Sequence, residues 1–127
     1  MRISRLSETP ATDVHPSHFT GSVRRHDLIA VDEPSSSALL VRFEPGGRTH
    51  WHRHPEGQYL YVLEGKGLAQ SRGGEPTELL PGDCLYAAPG EEHWHGASSD
   101  AGVAHLAFSF GDTKWDGPVA TTPSAGG

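Results

Sequence analysis

The sequence predicts an all-β protein, a single domain of barrel, sandwich or jelly-roll type, and three observations carry that prediction. Short apolar or alternating runs recur at close spacing, glycine and proline punctuate the gaps between them, and no stretch of convincing length has a helical period. With 127 residues, 16 of them Gly and 10 Pro, the chain suits one core enclosing one cavity.

Taken in order, residues 1–20 mix Pro, Ser, Thr and His without a period, which predicts an extended N-terminal arm. The barrel is expected over residues 21–114. Its predicted strands are Val23 to Val31, Ala38 to Phe43, Gln58 to Leu63, Gly67 to Ser71, Thr77 to Leu80, Asp83 to Ala87 and Val103 to Phe110. Turn-forming separators such as Glu44-Pro45-Gly46-Gly47, Arg72-Gly73-Gly74-Glu75-Pro76, Leu80-Pro81-Gly82-Asp83 and Ala88-Pro89-Gly90 divide them. Proline presets φ for a turn and glycine supplies positive φ, and neither suits a helix interior. Residues 115–127, ending Thr121-Thr122-Pro123-Ser124-Ala125-Gly126-Gly127, are expected to form a flexible tail. No internal repeat of solenoid or propeller period is visible.

Composition narrows the class of function. The net charge of -6 is spread along the chain and the basic clusters are limited to Arg24-Arg25, so no nucleic-acid partner is expected. No apolar run approaches the roughly 20 residues of a bilayer span, and the N-terminus lacks the pattern of a secretory leader, so a soluble, cytoplasmic chain without a membrane partner is expected. The single cysteine, Cys84, sits in the apolar run Cys84-Leu85-Tyr86-Ala87-Ala88 and reads as a small hydrophobe.

Nine histidines are the anomaly, and five of them group at 50, 52, 54, 93 and 95. On an extended backbone alternate residues share a face, so His52 and His54 point together into a barrel, with His50 beside them if the strand is regular and toward solvent if it bulges. Gln58 opens the next run after a short Pro55-Glu56-Gly57 turn that brings its side chain back toward them. In the second half, His93 and His95 stand at strand spacing after the Pro89-Gly90 turn.

These stretches resemble the cupin superfamily. Its first motif is matched by Gly46, His52, His54, Gln58 and Gly65, its second by Gly82-Asp83, Ala88-Pro89-Gly90 and His93, and the resemblance covers roughly residues 37 to 111. It implies a jelly-roll β-barrel with one divalent metal held by His52, His54, Gln58 and His93. The chain departs from the pattern in carrying Gln58 for the usual Glu, a displaced proline, and Ala97 where Asn is frequent. With Gln58, the chain is similar to a narrower group, the bacterial cupin hydroxynitrile lyases. Phe43-Glu44-Pro45-Gly46, Arg48-Thr49, Gly57-Gln58, Pro81-Gly82-Asp83 and His93-Trp94-His95-Gly96-Ala97 carry that likeness.

The likeness implies Mn(II), with Fe(II), Zn(II), Ni(II) or Co(II) compatible with the same donors. It also implies a small-molecule substrate and a homodimer or higher homo-oligomer. A neutral shell of three imidazoles and one amide leaves the ion's charge uncompensated and removes a carboxylate base, so proton transfer falls to other groups. His95 is the first candidate and His105 the second, while Thr49 offers a hydroxyl donor; a hydrogen-bonded core histidine is the competing reading of His105. The leading expectation is metal-assisted cleavage or synthesis of a cyanohydrin. A ferrous cupin dioxygenase with a histidine-rich site and a non-catalytic, metal-containing module that binds a small ligand are the alternatives. Trp51, Trp94, Tyr59 and Tyr61 read as core, rim or interface packing, Glu91 and Glu92 as an exposed turn, and Leu39, Val41, Phe108 and Phe110 as core or pocket lining.

Overall fold

The computed structural model describes residues 1–120; the segment 121–127, part of the expected tail, lies outside the described residues. A 3₁₀ turn at Leu6–Glu8 precedes β1 (Thr12–Asp13), β2 (Phe19–Thr20), β3 (Val23–Asp32), β4 (Ser35–Phe43), β5 (Arg48–Thr49), β6 (His52–Arg53) and β7 (Gln58–Gly65). The chain continues through β8 (Gly67–Ser71), β9 (Thr77–Leu79), β10 (Cys84–Ala87), β11 (His93–Ala97), β12 (Val103–Phe110) and β13 (Lys114–Trp115). Every long predicted strand is present, with ends shifted by at most a few residues. The segments β1, β2, β5, β6 and β13 are too short to register as periodic runs, and all of them form only by pairing with distant partners.

The strands form two antiparallel sheets facing each other. One has the order β1-β3-β4-β12-β7-β10, and the other β13-β6-β11-β5-β2, with β8 also along β11 and β9 beside β8. The architecture is therefore an all-β single domain of jelly-roll type. Segments β5 and β6 lie end to end along one side of β11, where Arg48 is in register with Gly96 and His52 with His93. The arm and the tail are both tied to this sheet: Phe19 pairs with Thr49, and Trp115 pairs with His52. The sequence boundary at 114/115 thus cuts through a strand.

Alternation fills the space between the sheets. Val23, Val41, Phe43, Val62, Ala69, Leu79, Ala97 and Val103 form the buried apolar cluster. Gly96 is required by close approach, because a Cβ there would collide with Gly47 O and the Arg48 backbone; β11 could not lie against β5 with any larger residue. Gly65, at φ +88°, meets the backbone of Gly102 in the same way.

Three side-chain expectations are corrected. Cys84 is exposed, since β10 is an edge strand and Cys84 faces outward with Tyr86. Phe108 and Phe110 neither fill the core nor line the pocket; with Tyr59 and Tyr61 they lie on the outer face of the first sheet. Glu91 and Glu92 are half-buried: Glu91 accepts from Ser71 Oγ at 2.5 Å and from the Ala88 amide at 2.9 Å, which hold its carboxyl below the usual range. Trp94 and Trp51 are buried. Among the described residues no helix is long and apolar enough to cross a membrane.

Candidate metal centre

The ladder between β6 and β11 is what brings the two histidine pairs together. His52 and His93 are direct cross-strand partners, with ring centroids 4.4 Å apart. His95, two residues along β11, shares the face of His93, and its ring lies 5.2 Å from that of His52. Ligand atoms of His52, His93 and His95 all fall within 4.8 Å of one another, and this buried group can hold one metal ion. His54 stands at the margin, its ring 5.0 Å from His52 and 5.8 Å from His93. Gln58, first residue of β7, reaches in from the opposite sheet and places Oε1 2.9 Å from His93 Nε2.

Hydrogen bonds fix which ring nitrogens face the centre. His52 Nδ1 donates to the His50 carbonyl and His93 Nδ1 to the Glu91 carbonyl, both at 2.9 Å. A carbonyl only accepts, so in the neutral rings both Nε2 atoms carry lone pairs. The Nε2 lone pair of His93 then faces the Gln58 oxygen. Two acceptors at that distance repel unless a cation lies between them or the amide turns over to present its NH₂. The Nε2 atoms of His54 and His95 are buried with no hydrogen-bond partner. The ligand atoms of His52, His93 and His95 that cluster here, with the unpartnered Nε2 of His54 at the margin, fit a divalent metal, because leaving buried polar atoms unpaired costs roughly 1–3 kcal/mol each.

Burial keeps these rings neutral, which coordination requires. Desolvation, then the neighbouring His93, pushes His52 well below its ordinary value and His54 down to about 4. His95 is held well below by desolvation and by His105, His105 falls to about 4 by burial, and His93 is lowered for the same reason.

His95 and His105 form a dyad, Nδ1 to Nε2 at 3.1 Å, packed on the Phe43 ring. Thr49 Oγ1 accepts from the His95 amide at 3.1 Å and keeps its own hydrogen for donation into the pocket. His50 takes neither of its two expected places: the strand is interrupted between β5 and β6, and its buried ring turns to Thr20 Oγ1 at 3.2 Å, outside the pocket lining.

A cavity of about 650 Å³ opens onto His52, His54, Gln58 and His95, with Leu39 and Val41 in its wall. Sequence reasoning missed several of its residues. Ser109 accepts from Gln58 Nε2 at 2.9 Å, and Thr113 bonds His54 Nδ1 at 3.2 Å. Alternation from His105 through Ala107 along β12 would have pointed to Ser109; nothing local marks Thr113. The ring of Trp115 lies 4.9 Å from His52 and stacks on His18 at 4.2 Å, so the N-terminal arm and β13 help wall the cavity.

An antiparallel jelly-roll of two facing sheets with a buried, neutral, histidine-rich centre defines the class of metal-binding cupins. Residues 39–110 match the cupin domain, and the chain belongs to the cupin family. It is 44% identical over 109 residues, 85% of this chain and 83% of the relative, to an (R)-mandelonitrile lyase from Granulicella tundricola. It also matches the crystal structure of a cupin-like protein from Thermotoga maritima, with TM-score 0.84 and 36% identity over 96% of this chain and 94% of that one. A polyketide cyclase from Streptomyces resistomycificus shares the fold at TM-score 0.76 and 19% identity, over 99% of this chain and 90% of the cyclase.

Proposed function

We propose that the protein is a metal-dependent lyase that cleaves and forms cyanohydrins. The observation that carries this reading is the convergence of uncharged donors beside a histidine dyad, in a chain 44% identical to an (R)-mandelonitrile lyase. His52, His54, Gln58 and His93 are the metal ligands in this proposal, and Mn(II) is the ion. A bound dication supplies Lewis acidity to the substrate oxygen and the departing anion.

The remaining steps belong to the chain. Thr49 donates its hydroxyl hydrogen to the substrate and orients it. His95 takes the hydroxyl proton of the cyanohydrin at Nε2. It is close enough to the other rings to serve as a ligand, but the base role falls to it because only His95 has a second imidazole behind it to share the acquired charge. As that proton leaves, the carbonyl forms, the bond to the nitrile carbon breaks, and its electron pair departs with cyanide, which then recovers the proton. The products are an aldehyde or ketone and hydrogen cyanide.

Metal content and cyanide release from mandelonitrile, measured on one preparation, test the proposal. The expected outcome is near-stoichiometric metal, release abolished by chelator, and a loss of metal affinity of at least about 100-fold in His52→Ala. Bound metal without cyanide release overturns the lyase reading, and oxygen uptake by that sample would indicate a dioxygenase.

A further inference from the structure

One residue of the Arg24-Arg25 pair turns into the barrel. Arg25 is in register with Val41 on β4, and Val41 with His105 on β12. Antiparallel partners share a face, and Val41 and His105 are buried between the sheets, so Arg25 points inward at the level of the His95–His105 dyad. Two strand spacings separate its backbone from that of His105 by about 10 Å. Arg24 faces the other way, its side chain exposed beside Asp13.

The part-buried Arg25 guanidinium lines the same cavity as His52, His54 and Gln58. Its one ionic partner among the described residues is Asp27, whose Oδ1 lies 3.2 Å from Nε without the alignment of a hydrogen bond. Asp27 thereby steadies the Nε edge, and the two terminal nitrogens have no partner among the described residues. Such a fork matches the two oxygens of a carboxylate. Arg25 and Asp27 cancel in charge, so a dication beside neutral imidazoles leaves the cavity positive overall and suited to an anionic substrate.

We propose that Arg25 forms a carboxylate subsite, so that the molecules this pocket selects carry a carboxylate remote from the hydroxyl-bearing carbon. For turnover, this makes the substrates cyanohydrins of carboxylate-bearing aldehydes or ketones, a statement that rests on the lyase reading; the binding selectivity does not.

The test is calorimetric titration of the metal-loaded protein with 4-(hydroxymethyl)benzoate and with benzyl alcohol, in the wild type, Arg25→Leu and Arg25→Gln. The expected result is a preference of at least about 10-fold for the carboxylate in the wild type, as a charge-assisted pair supplies, falling below about twofold in either variant. Equal binding of the two probes by the wild type overturns the proposal. So does a preference that survives in both variants, since the carboxylate would then be held by the metal. Cyanide release from mandelonitrile and from its 4-carboxy analogue, followed on the same samples, separates the two failures. An Arg25-dependent preference without release leaves the subsite standing and removes the lyase, while release from both with equal efficiency and equal probe affinity removes the subsite alone.

Discussion

Phe43, Val62 and Ala97 in the apolar cluster and His52, His54, His93, His95 and His105 in the adjoining histidine layer are all at most 4% exposed, yet the two regions are built on opposite principles. The apolar cluster is complete in itself: its side chains pack on one another and leave nothing unpaired. The histidine layer is equally buried but holds ring nitrogens without partners at His54, His95 and His105, and an acceptor-to-acceptor contact between His93 and Gln58. Burial stabilises the first region and strains the second. A centre assembled this way costs stability until a ligand engages it, and it therefore has to be carried by the packing around it.

The sharpest way to break this contrast is to cut into the carrier. Leu79→Ala, in the apolar cluster and not among the candidate ligands, should lower unfolding free energy by about 2–5 kcal/mol, read from urea denaturation, with metal stoichiometry retained. Loss of metal at full folding would mean that the two regions are not separable.

Acid probes the other side. His54 and His105, at about 4 in the fold against 6.5 when exposed, are neutral where the unfolded chain is protonated. The unfolded state binds more protons between those limits, so stability is full above about pH 6.5 and declines as the pH falls toward 4, by about 3 kcal/mol for each such imidazole. Urea midpoints of metal-free protein at pH 7.5, 5.5 and 4.5 should fall in that order. A flat profile would show that the layer admits water and is not dry.

The smallest expected effect sharpens the account of the ring orientations. Thr113→Val removes the hydroxyl on His54 Nδ1 without emptying the site, and should weaken metal binding roughly 10-fold in competition with a chelator. No change would place His54 outside the ligand set.

Much of this molecule was legible in the chain because its information is local. Alternation marked the long strands from Val23 to Phe110, and the Gly-Pro separators marked their ends. The spacing of His52 with His54 and of His93 with His95 gave two convergent pairs, since a strand turns alternate residues to one side whatever surrounds it. Register is what the chain could not announce. His52 meets His93 only because β6 lies along β11, next to the β5 segment whose close approach to β11 the missing Cβ of Gly96 permits. Long-range pairing likewise turned His50 away to Thr20, brought Ser109 and Thr113 behind two candidate ligands, and set Arg25 level with His105.

The sequence by itself therefore determined the all-β class, the strands and the residue types of the centre, because period and turn chemistry act over a few neighbouring residues. Which nitrogen points inward, which hydroxyl supports it and which charge faces the cavity were decided by the tertiary structure alone, because each depends on contacts between segments tens of residues apart in the chain.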